Sequence, residues 1–263
     1  MSIDAKHLSV TIDGTKILDN LNFSCHPGQI TAIAGENGAG KSTLINCLAG
    51  VCKLEGELTL NEQPIERLNL AELAQYRAVL PQQSNLNFPF SVDEVVRLAM
   101  SLTAISHEQQ EAIITKCLEQ VDASHFRRRN YLHLSGGEKQ RVQLARVLAQ
   151  LYAHNHSQSR FLFLDEPTSA LDLKHQYATL KMLRELCTNN TIGDIGILVI
   201  VHDLNLASFY CDKIMLLDGG SLVAHDTPEN VLQNDIIKNS FGIDVLIESH
   251  PNIGKPYLMP RVI

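Results

Sequence analysis

Continuous runs of apolar residues recur along the chain and predict β-strands. The clearest runs cover residues 29–34, 160–164, 196–201 and 213–217. Continuous rather than alternating hydrophobicity is typical of strands covered on both faces, as in a parallel sheet between helices. Helical patterns lie between these runs. We therefore expect an α/β fold, in which ligands bind beyond the carboxyl ends of the strands.

The β pattern lapses between residues 70 and 134. Two helix starts stand out there as capping boxes, in which a serine precedes Glu or Gln by three positions: Ser91 with Glu94, and Ser106 with Gln109. This part of the chain is therefore predicted to be a helical subdomain, at about residues 70–135.

The C-terminal part is mixed in character. From residue 219 onward it contains a strand-like SLVAH, a helix opened by Pro228 and a tail rich in Gly and Pro. We expect it to be an extension of a single domain that covers residues 1–263.

Composition and charge narrow the class of protein. With 263 residues, 44% of them hydrophobic, the chain can bury the core of one large domain. A formal net charge of −7 argues against a general nucleic-acid binder, which would carry a basic excess. The N-terminus lacks a signal-peptide pattern and no run of about 18 apolar residues occurs. We expect a soluble protein that stays inside the cell and leaves any membrane crossing to another polypeptide.

The cysteines show no CxxC or other ligand-like spacing. We therefore expect neither a zinc site nor a disulfide framework, but buried, reduced thiols. The six are Cys25, Cys47, Cys52, Cys117, Cys187 and Cys211.

A glycine-rich segment follows the first apolar run and leads into a helical pattern. Its sequence, GENGAGKST, satisfies G-x-x-x-x-G-K-[ST], the pattern of a loop whose backbone N–H groups face a triphosphate. Lys41 is expected to contact the β- and γ-phosphates and Ser42 to bind Mg²⁺. The alternative is an ordinary glycine turn before a helix. The nucleotide-binding residues predicted here are Gly35, Asn37, Gly38, Ala39, Gly40, Lys41, Ser42 and Thr43.

Two carboxylates follow the run at 160–164. We expect Asp165 to serve the magnesium shell and Glu166 to act as general base toward a water in line with the γ-phosphate. His202 follows the run at 196–201 and is a candidate γ-phosphate contact at the same sheet edge. A lone histidine at a strand end is more often structural, so this assignment depends on its neighbours.

A second glycine motif, LSGGEKQR at residues 134–141, opens another helix. An ordinary capping box, Ser135 with Glu138, is one explanation, but two glycines in a first helical turn cost roughly 1 kcal/mol each relative to alanine. Close backbone approach to an anion accounts for Gly136 and Gly137. The chain thus has two helix N-termini suited to phosphate but only one set of metal and base residues. This indicates a nucleotide that is shared between two copies of the chain.

These motifs, together with Ser169–Asp172 and the His202 of IVHD, occur in the order and spacing of the ATP-binding-cassette (ABC) ATPases. The chain resembles that family over nearly its whole length. The resemblance implies the P-loop NTPase fold of ABC ATPases: a mainly parallel sheet core, an N-terminal antiparallel β part and an inserted α-helical subdomain.

The resemblance also implies a head-to-tail homodimer. Ser135, Gly136 and Gly137 of one copy would then contact the ATP held by the other, and Asp172 would couple the two sites. Gln82, in VLPQQ, would join the magnesium site, with a catalytic role, and would link it to the helical subdomain and a permease. One departure is Ile12, which stands where the family often stacks an aromatic residue on adenine.

Shorter segments resemble one branch of the family. Residues 87–96, the LDEPTSALD run and the tail GKPYLMPRVI look like the ATPases of heme, ferric-siderophore and cobalamin importers; RVLAQL and TSALDLKHQ look most like hemin importers. The implied protein is an ATPase that uses ATP and Mg²⁺ to energise heme import at the cytoplasmic face of the bacterial inner membrane. Its partners would be two polytopic permease subunits and, indirectly, a periplasmic substrate-binding protein.

The alternatives that remain open are a ferric-siderophore or cobalamin importer ATPase and a soluble iron–sulfur cluster assembly ABC ATPase. The last of these would bind a soluble scaffold protein instead of a permease.

Overall fold

The computed structural model describes residues 1–82, 86–154, 158–188 and 194–261. Within these ranges, a central six-stranded sheet has the order β10-β9-β3-β8-β7-β6. All neighbouring pairs are parallel except β9 with β10. The strands are β3 (Ile30–Ala34), β6 (Arg77–Leu80), β7 (Arg160–Leu164), β8 (Ile195–Ile200), β9 (Lys213–Asp218) and β10 (Ser221–Asp226). The four predicted strands are confirmed, and β3, β7 and β8 are buried along their whole length.

A second, antiparallel sheet comes from the N-terminal part, as the resemblance implied. Its order is β2-β1-β4-β5, with β1 (Ile3–Ile12), β2 (Thr15–Cys25), β4 (Glu55–Leu60) and β5 (Gln63–Pro64). Helix α1 (Lys41–Leu48) lies between the two sheets, because its Leu44 and Ile45 share one apolar core with Leu8 of β1 and Phe163 of β7. This packing holds the first turn of α1 at the edge of the central sheet.

Helices dominate the part of the chain from residue 70 to the start of β7. They are α2 (Leu70–Tyr76), just before β6, then α3 (Val92–Arg97), α4 (His107–Gln120) and α5 (Gly136–Ala153). The capping boxes predicted at Ser91 and Ser106 are both present. Strand β6 is the element that the sequence analysis missed in this part of the chain; its four residues are too few for a clear apolar run.

Ion pairs and apolar contacts hold the inserted helices together. Arg127, after α4, pairs with Asp93 of α3 at 2.6 Å and with Glu111 of α4 at 2.5 Å. Phe126 beside it is fully buried in the large core that also contains α5. The insert is therefore a packed unit that positions the N-terminus of α5.

The rest of the chain packs on the same face of the sheet as the inserted helices and ends in a hairpin. Here lie α6 (Leu173–Thr188), α7 (Leu204–Tyr210), α8 (Pro228–Val231), α9 (Asn234–Phe241), β11 (Val245–Ser249) and β12 (Pro256–Pro260). The predicted strand SLVAH and the helix opened by Pro228 are present as β10 and α8. The Gly/Pro-rich tail forms the β11–β12 hairpin, which α7 holds because the Asn205 side chain donates to the Leu258 carbonyl and accepts from the Leu258 N–H.

The expectation of six reduced thiols is wrong for one pair. Cys47 and Cys52 form a disulfide, with their Cα atoms 5.1 Å apart. Gly50, at φ 74°, turns the chain back after α1 and so brings the two residues together. The other four cysteines are free and buried, as expected.

No helix in the described ranges is both long and apolar enough to span a membrane.

Candidate nucleotide-binding site

The glycine-rich segment forms the turn between β3 and α1. Gly35, Gly38 and Gly40 all have positive φ angles, of 142°, 87° and 95°. At position 35 a Cβ would lie 2.1 Å from the carbonyl oxygen of Leu217. Only glycine therefore fits at this position, directly after β3. Asn37 and Gly38 lie on the exposed crest of the loop, while Ala39 is buried beneath it. Thr43 follows in the first turn of α1.

Lys41 is the cation at the centre of this loop. Its side chain is buried, and its ammonium group donates hydrogen bonds to the carbonyls of Gly35 and Glu36 at 2.8 and 2.7 Å. Burial lowers the pKa of Lys41, and the neighbouring carboxylates of Glu166 and Asp165 oppose that shift. The loop thus combines a positive charge with the amide groups of a helix N-terminus, an arrangement suited to phosphate.

Asp165 follows β7 and supplies a buried carboxylate. Burial raises the pKa of Asp165, while a hydrogen bond from Ser42 and the charge of Lys41 oppose the shift. Among the described residues its Oδ1 atom is buried without a hydrogen-bond partner. An unpaired buried carboxylate oxygen beside a hydroxyl fits a hard cation such as Mg²⁺, which prefers oxygen ligands.

Gln82 lies beyond the end of the neighbouring strand β6. The two strand ends are joined because the Asp165 N–H donates to the Leu80 carbonyl at 2.9 Å. Gln82 itself is exposed, and residues 83–85, the first of which ends the VLPQQ segment, lie outside the described ranges. The structure therefore brings the backbone of Gln82 to the edge predicted for the metal.

Glu166 and His202 meet at this edge. The Nε2 atom of His202 lies 2.7 Å from Oε1 of Glu166, and the Gln140 side chain donates to the Glu166 carbonyl at 3.3 Å. Glu166 has a φ of 51°, a left-handed backbone conformation that is uncommon outside glycine. The predicted strand-end convergence is present: a general-base candidate is held by a histidine beside the cation of Lys41.

The second glycine motif begins α5 with Ser135 as its N-cap. The ordinary capping box considered from the sequence is present, since the Ser135 N–H donates to Glu138 at 2.7 Å. It does not account for the glycines. A Cβ at position 137 would lie 2.9 Å from the carbonyl oxygen of Ala170, whereas a Cβ at position 136 meets nothing within 4 Å in the described structure. Gly137 is thus required by packing within the chain, and the face at Gly136 is open.

The segment 169–172 is held from both sides, a feature that the sequence analysis did not predict. Asp172 is exposed, but His175 contacts its carboxylate at 2.8 Å. The Gln176 side chain donates to the carbonyls of Thr168 and Leu171. The available signal was a His–Gln pair in the first turn of α6, directly after Asp172, whose carboxylate accepts the His175 N–H as a helix N-cap does.

Ile12 ends strand β1 and is 46% exposed. A turn at Asp13 and Gly14, both with positive φ, follows it directly. The residue that stands in place of an aromatic therefore presents an aliphatic surface to solvent.

Together, the loop, the cation, the paired acids and the strand-end histidine define a P-loop nucleotide-binding site on an α/β ATPase fold. The family model described as ABC transporter matches residues 18–169. The chain belongs to this family, whose members bind and hydrolyse ATP to drive transport.

Two curated relatives match almost end to end. The hemin import ATP-binding protein HmuV of Chelativorans sp. (strain BNC1) is 41% identical over 98% of this chain and 98% of its own. That of Pseudomonas fluorescens (strain Pf0-1) is 42% identical over 98% and 99%. Among solved structures, an ATP-binding cassette captured as a dimer in a post-hydrolysis state with ADP and phosphate is 26% identical, with a TM-score of 0.73 over 86% of this chain and 98% of that one.

Proposed function

We propose that this chain is the ATP-hydrolysing subunit that energises hemin import across the bacterial inner membrane. The observation that carries the proposal is the similarity to hemin import ATP-binding proteins, at 41–42% identity over 98% of the chain. That coverage includes the helical insert and the C-terminal hairpin as well as the ATPase core. On this proposal two copies act at the cytoplasmic face with two polytopic permease subunits, and a periplasmic substrate-binding protein delivers cargo to the permease.

The phosphate-binding residues act first in the proposed reaction. Lys41 exchanges its contacts with the loop carbonyls for the β- and γ-phosphates of ATP, and the backbone of residues 35–43 cradles them. Ser42, Asp165 and Gln82 would hold Mg²⁺, which would supply positive charge to neutralise the charge that develops on the phosphate oxygens. The unpaired Oδ1 atom of Asp165 supports that assignment.

Glu166 is the proposed general base. Its carboxylate takes a proton from the water that attacks the γ-phosphate, and His202, 2.7 Å away, orients it and contacts the γ-phosphate. The pairing of these side chains at one strand edge supports the assignment, because a general base must be held within hydrogen-bond reach of its substrate.

A second copy completes the proposed site. The open face at Gly136 leaves room for a nucleotide to approach the N-terminus of α5, and Ser135 and Gly137 border the same turn. Asp172 lies in the exposed segment beside that turn and couples the two sites. The dimeric state of the solved relative with ADP and phosphate supports this arrangement.

A groove beside α5 is the proposed permease contact. It has a volume of about 450 Å³ and is lined by residues of α2, the 98–102 segment and α5, with the Leu102 side chain 81% exposed. Val79 of β6 lines the groove, and Gln82 lies three residues further along the same chain segment. Strand β6 therefore gives a direct connection from the groove to the proposed metal site.

The test is affinity capture of the tagged chain from native cells solubilised in mild detergent, followed by reconstitution of the captured complex in liposomes. We expect a stoichiometric polytopic membrane partner, and ATP hydrolysis that hemin delivery stimulates more than ferric siderophore or cobalamin. The Glu166→Gln variant, captured in parallel, should keep the partner and lose the stimulation.

Each contrary outcome has a defined meaning. Stimulation by a siderophore or by cobalamin alone would refute hemin as the cargo. Recovery of a soluble scaffold protein in place of a membrane partner would refute import and favour iron–sulfur cluster assembly.

A further inference from the structure

His175 lies between two carboxylates that belong to different parts of the fold. Its Nδ1 atom is 2.8 Å from Oδ1 of Asp172, which also accepts the His175 backbone N–H at 2.9 Å. Its Nε2 atom is 3.3 Å from Oδ2 of Asp122, a residue 53 positions away in the sequence. The His175 side chain is 18% exposed, whereas the side chains of Asp122 and Asp172 are 62% and 67% exposed.

Asp122 lies in the helical insert, two residues after the end of α4. It has a φ of 53°, and the Arg141 side chain of α5 donates to its backbone carbonyl and lies 3.7 Å from its carboxylate. The contact through His175 therefore joins three pieces: the end of α4, the first turns of α5 and the segment 169–172. The described structure shows no other side chain that contacts both aspartates.

The chemistry of imidazole makes this contact depend on charge. A neutral imidazole donates from one ring nitrogen, whereas the imidazolium donates from both. The pKa of Asp122 is lowered, mainly by its hydrogen bond with His175, and that of Asp172 is lowered by the backbone and then the side chain of His175. Both carboxylates therefore stay ionised near neutral pH.

Three other charged or titratable groups face the pair. Among the described residues, Arg141 of α5, Lys174 beside His175, and His125 after α4 all act on Asp122, and the charge of Arg141 also lowers the pKa of Asp172. None of them contacts the Asp172 carboxylate at hydrogen-bond distance in the described structure. His175 is therefore the group that transmits the position of the insert to Asp172.

The segment that His175 restrains also borders the reaction site. The carbonyl of Ala170 packs on Gly137, and the Ser169 hydroxyl donates to the carbonyl of Glu166 at 3.1 Å. A shift of Asp172 would move this segment against both the N-terminus of α5 and the proposed general base.

We propose that His175 is a positioning residue for ATP hydrolysis: by bridging Asp172 and Asp122 it fixes the segment 169–172 relative to the helical insert. The inference rests on the proposed function, in which this segment lies at the shared ATP site. His175 does not itself touch the nucleotide.

The test compares steady-state ATP hydrolysis by the purified full chain and its variants. His175→Asn keeps a donor for Asp172 but cannot reach Asp122, and we expect kcat to fall roughly 3- to 30-fold while KM for ATP stays within about twofold. Asp122→Gly tolerates the left-handed backbone, removes the carboxylate that His175 contacts and should cause a similar loss. The double variant should lose no more than either single one, because both remove the same bridge.

Two controls separate positioning from general damage. His107→Asn makes the same chemical change at a histidine that is 80% exposed on α4, and it should leave kcat and the unfolding midpoint unchanged. The unchanged KM for ATP is the second control, because general damage to the nucleotide site would raise KM as well as lower kcat.

The outcomes distinguish this inference from the proposed function. Wild-type kcat in His175→Asn, or additive losses in the double variant, would each overturn the role of His175. If Glu166→Gln also retained full turnover, the proposed site itself would fail.

Discussion

Gly136 and Gly137 are adjacent in the sequence, but the structure predicts opposite effects when each is replaced by alanine. Both lie in the first turn of α5 and neither has a positive φ. Alanine therefore brings no backbone strain at either position, and the better helix propensity should stabilise both variants by about 0.5–1 kcal/mol. The surroundings of the new methyl group decide the difference.

At position 136 the methyl group meets nothing within 4 Å, so the gain in propensity is expected in full. At position 137 it would lie 2.9 Å from the carbonyl oxygen of Ala170, several tenths of an ångström inside ordinary contact distance. That atom is backbone, so α5 and the segment 169–172 must separate. Overpacking of this kind costs about 1–3 kcal/mol, which exceeds the gain.

Thermal unfolding of the two variants without nucleotide measures this difference. For a chain of this size about 1 kcal/mol shifts the midpoint by about 2–4 °C. We expect Gly136→Ala to unfold at a slightly higher temperature than the wild type, and Gly137→Ala at a lower one. Equal midpoints for the two variants would refute the argument that Gly137 is required by contact with Ala170.

Three further predictions concern the base, a partly buried histidine and the disulfide. Glu166→Gln should reduce turnover roughly 10²- to 10⁴-fold and leave ATP affinity within about twofold, measured by single-turnover hydrolysis and nucleotide titration. Burial lowers the pKa of His225 to about 4, so the folded protein should lose stability as pH falls from about 6.5 toward 4. The free energy of unfolding, measured with denaturant at several pH values, should therefore fall by about 2 kcal/mol less in His225→Gln than in the wild type over this range. The same pH dependence in both proteins would contradict the prediction. Thiol titration of the denatured, unreduced protein should count four thiols, because Cys47 and Cys52 are joined. A count of six before reduction would rule the disulfide out.

Much of the site was predictable because parallel strands carry their following residues to a common edge. Asp165, Glu166 and His202 each follow a continuous apolar run, and the phosphate loop follows another. Sheet geometry alone then brings them together. Sheet geometry does not predict the direct contact of His202 with Glu166, which is made while Glu166 has a left-handed backbone conformation.

The features that were missed depend on contacts distant in sequence or on very short elements. Strand β6 has four residues, and its apolar character is not separable from the helices around it. The disulfide requires the turn at Gly50, which the spacing of Cys47 and Cys52 does not reveal. The contact of His175 with Asp122 requires the packed positions of α4 and α6, and no local pattern specifies those.

At position 166 stability and turnover favour different residues, because the backbone conformation suits glycine while the proposed reaction needs glutamate. A left-handed conformation costs a non-glycine residue roughly 1–2 kcal/mol, and glycine would remove that cost. A library of variants selected only for heat resistance should therefore accumulate glycine or asparagine at position 166. The selected proteins would be more stable but would no longer hydrolyse ATP at a useful rate. A second selection for growth on imported cargo would restore glutamate there, so the two enrichment profiles would diverge most sharply at this residue.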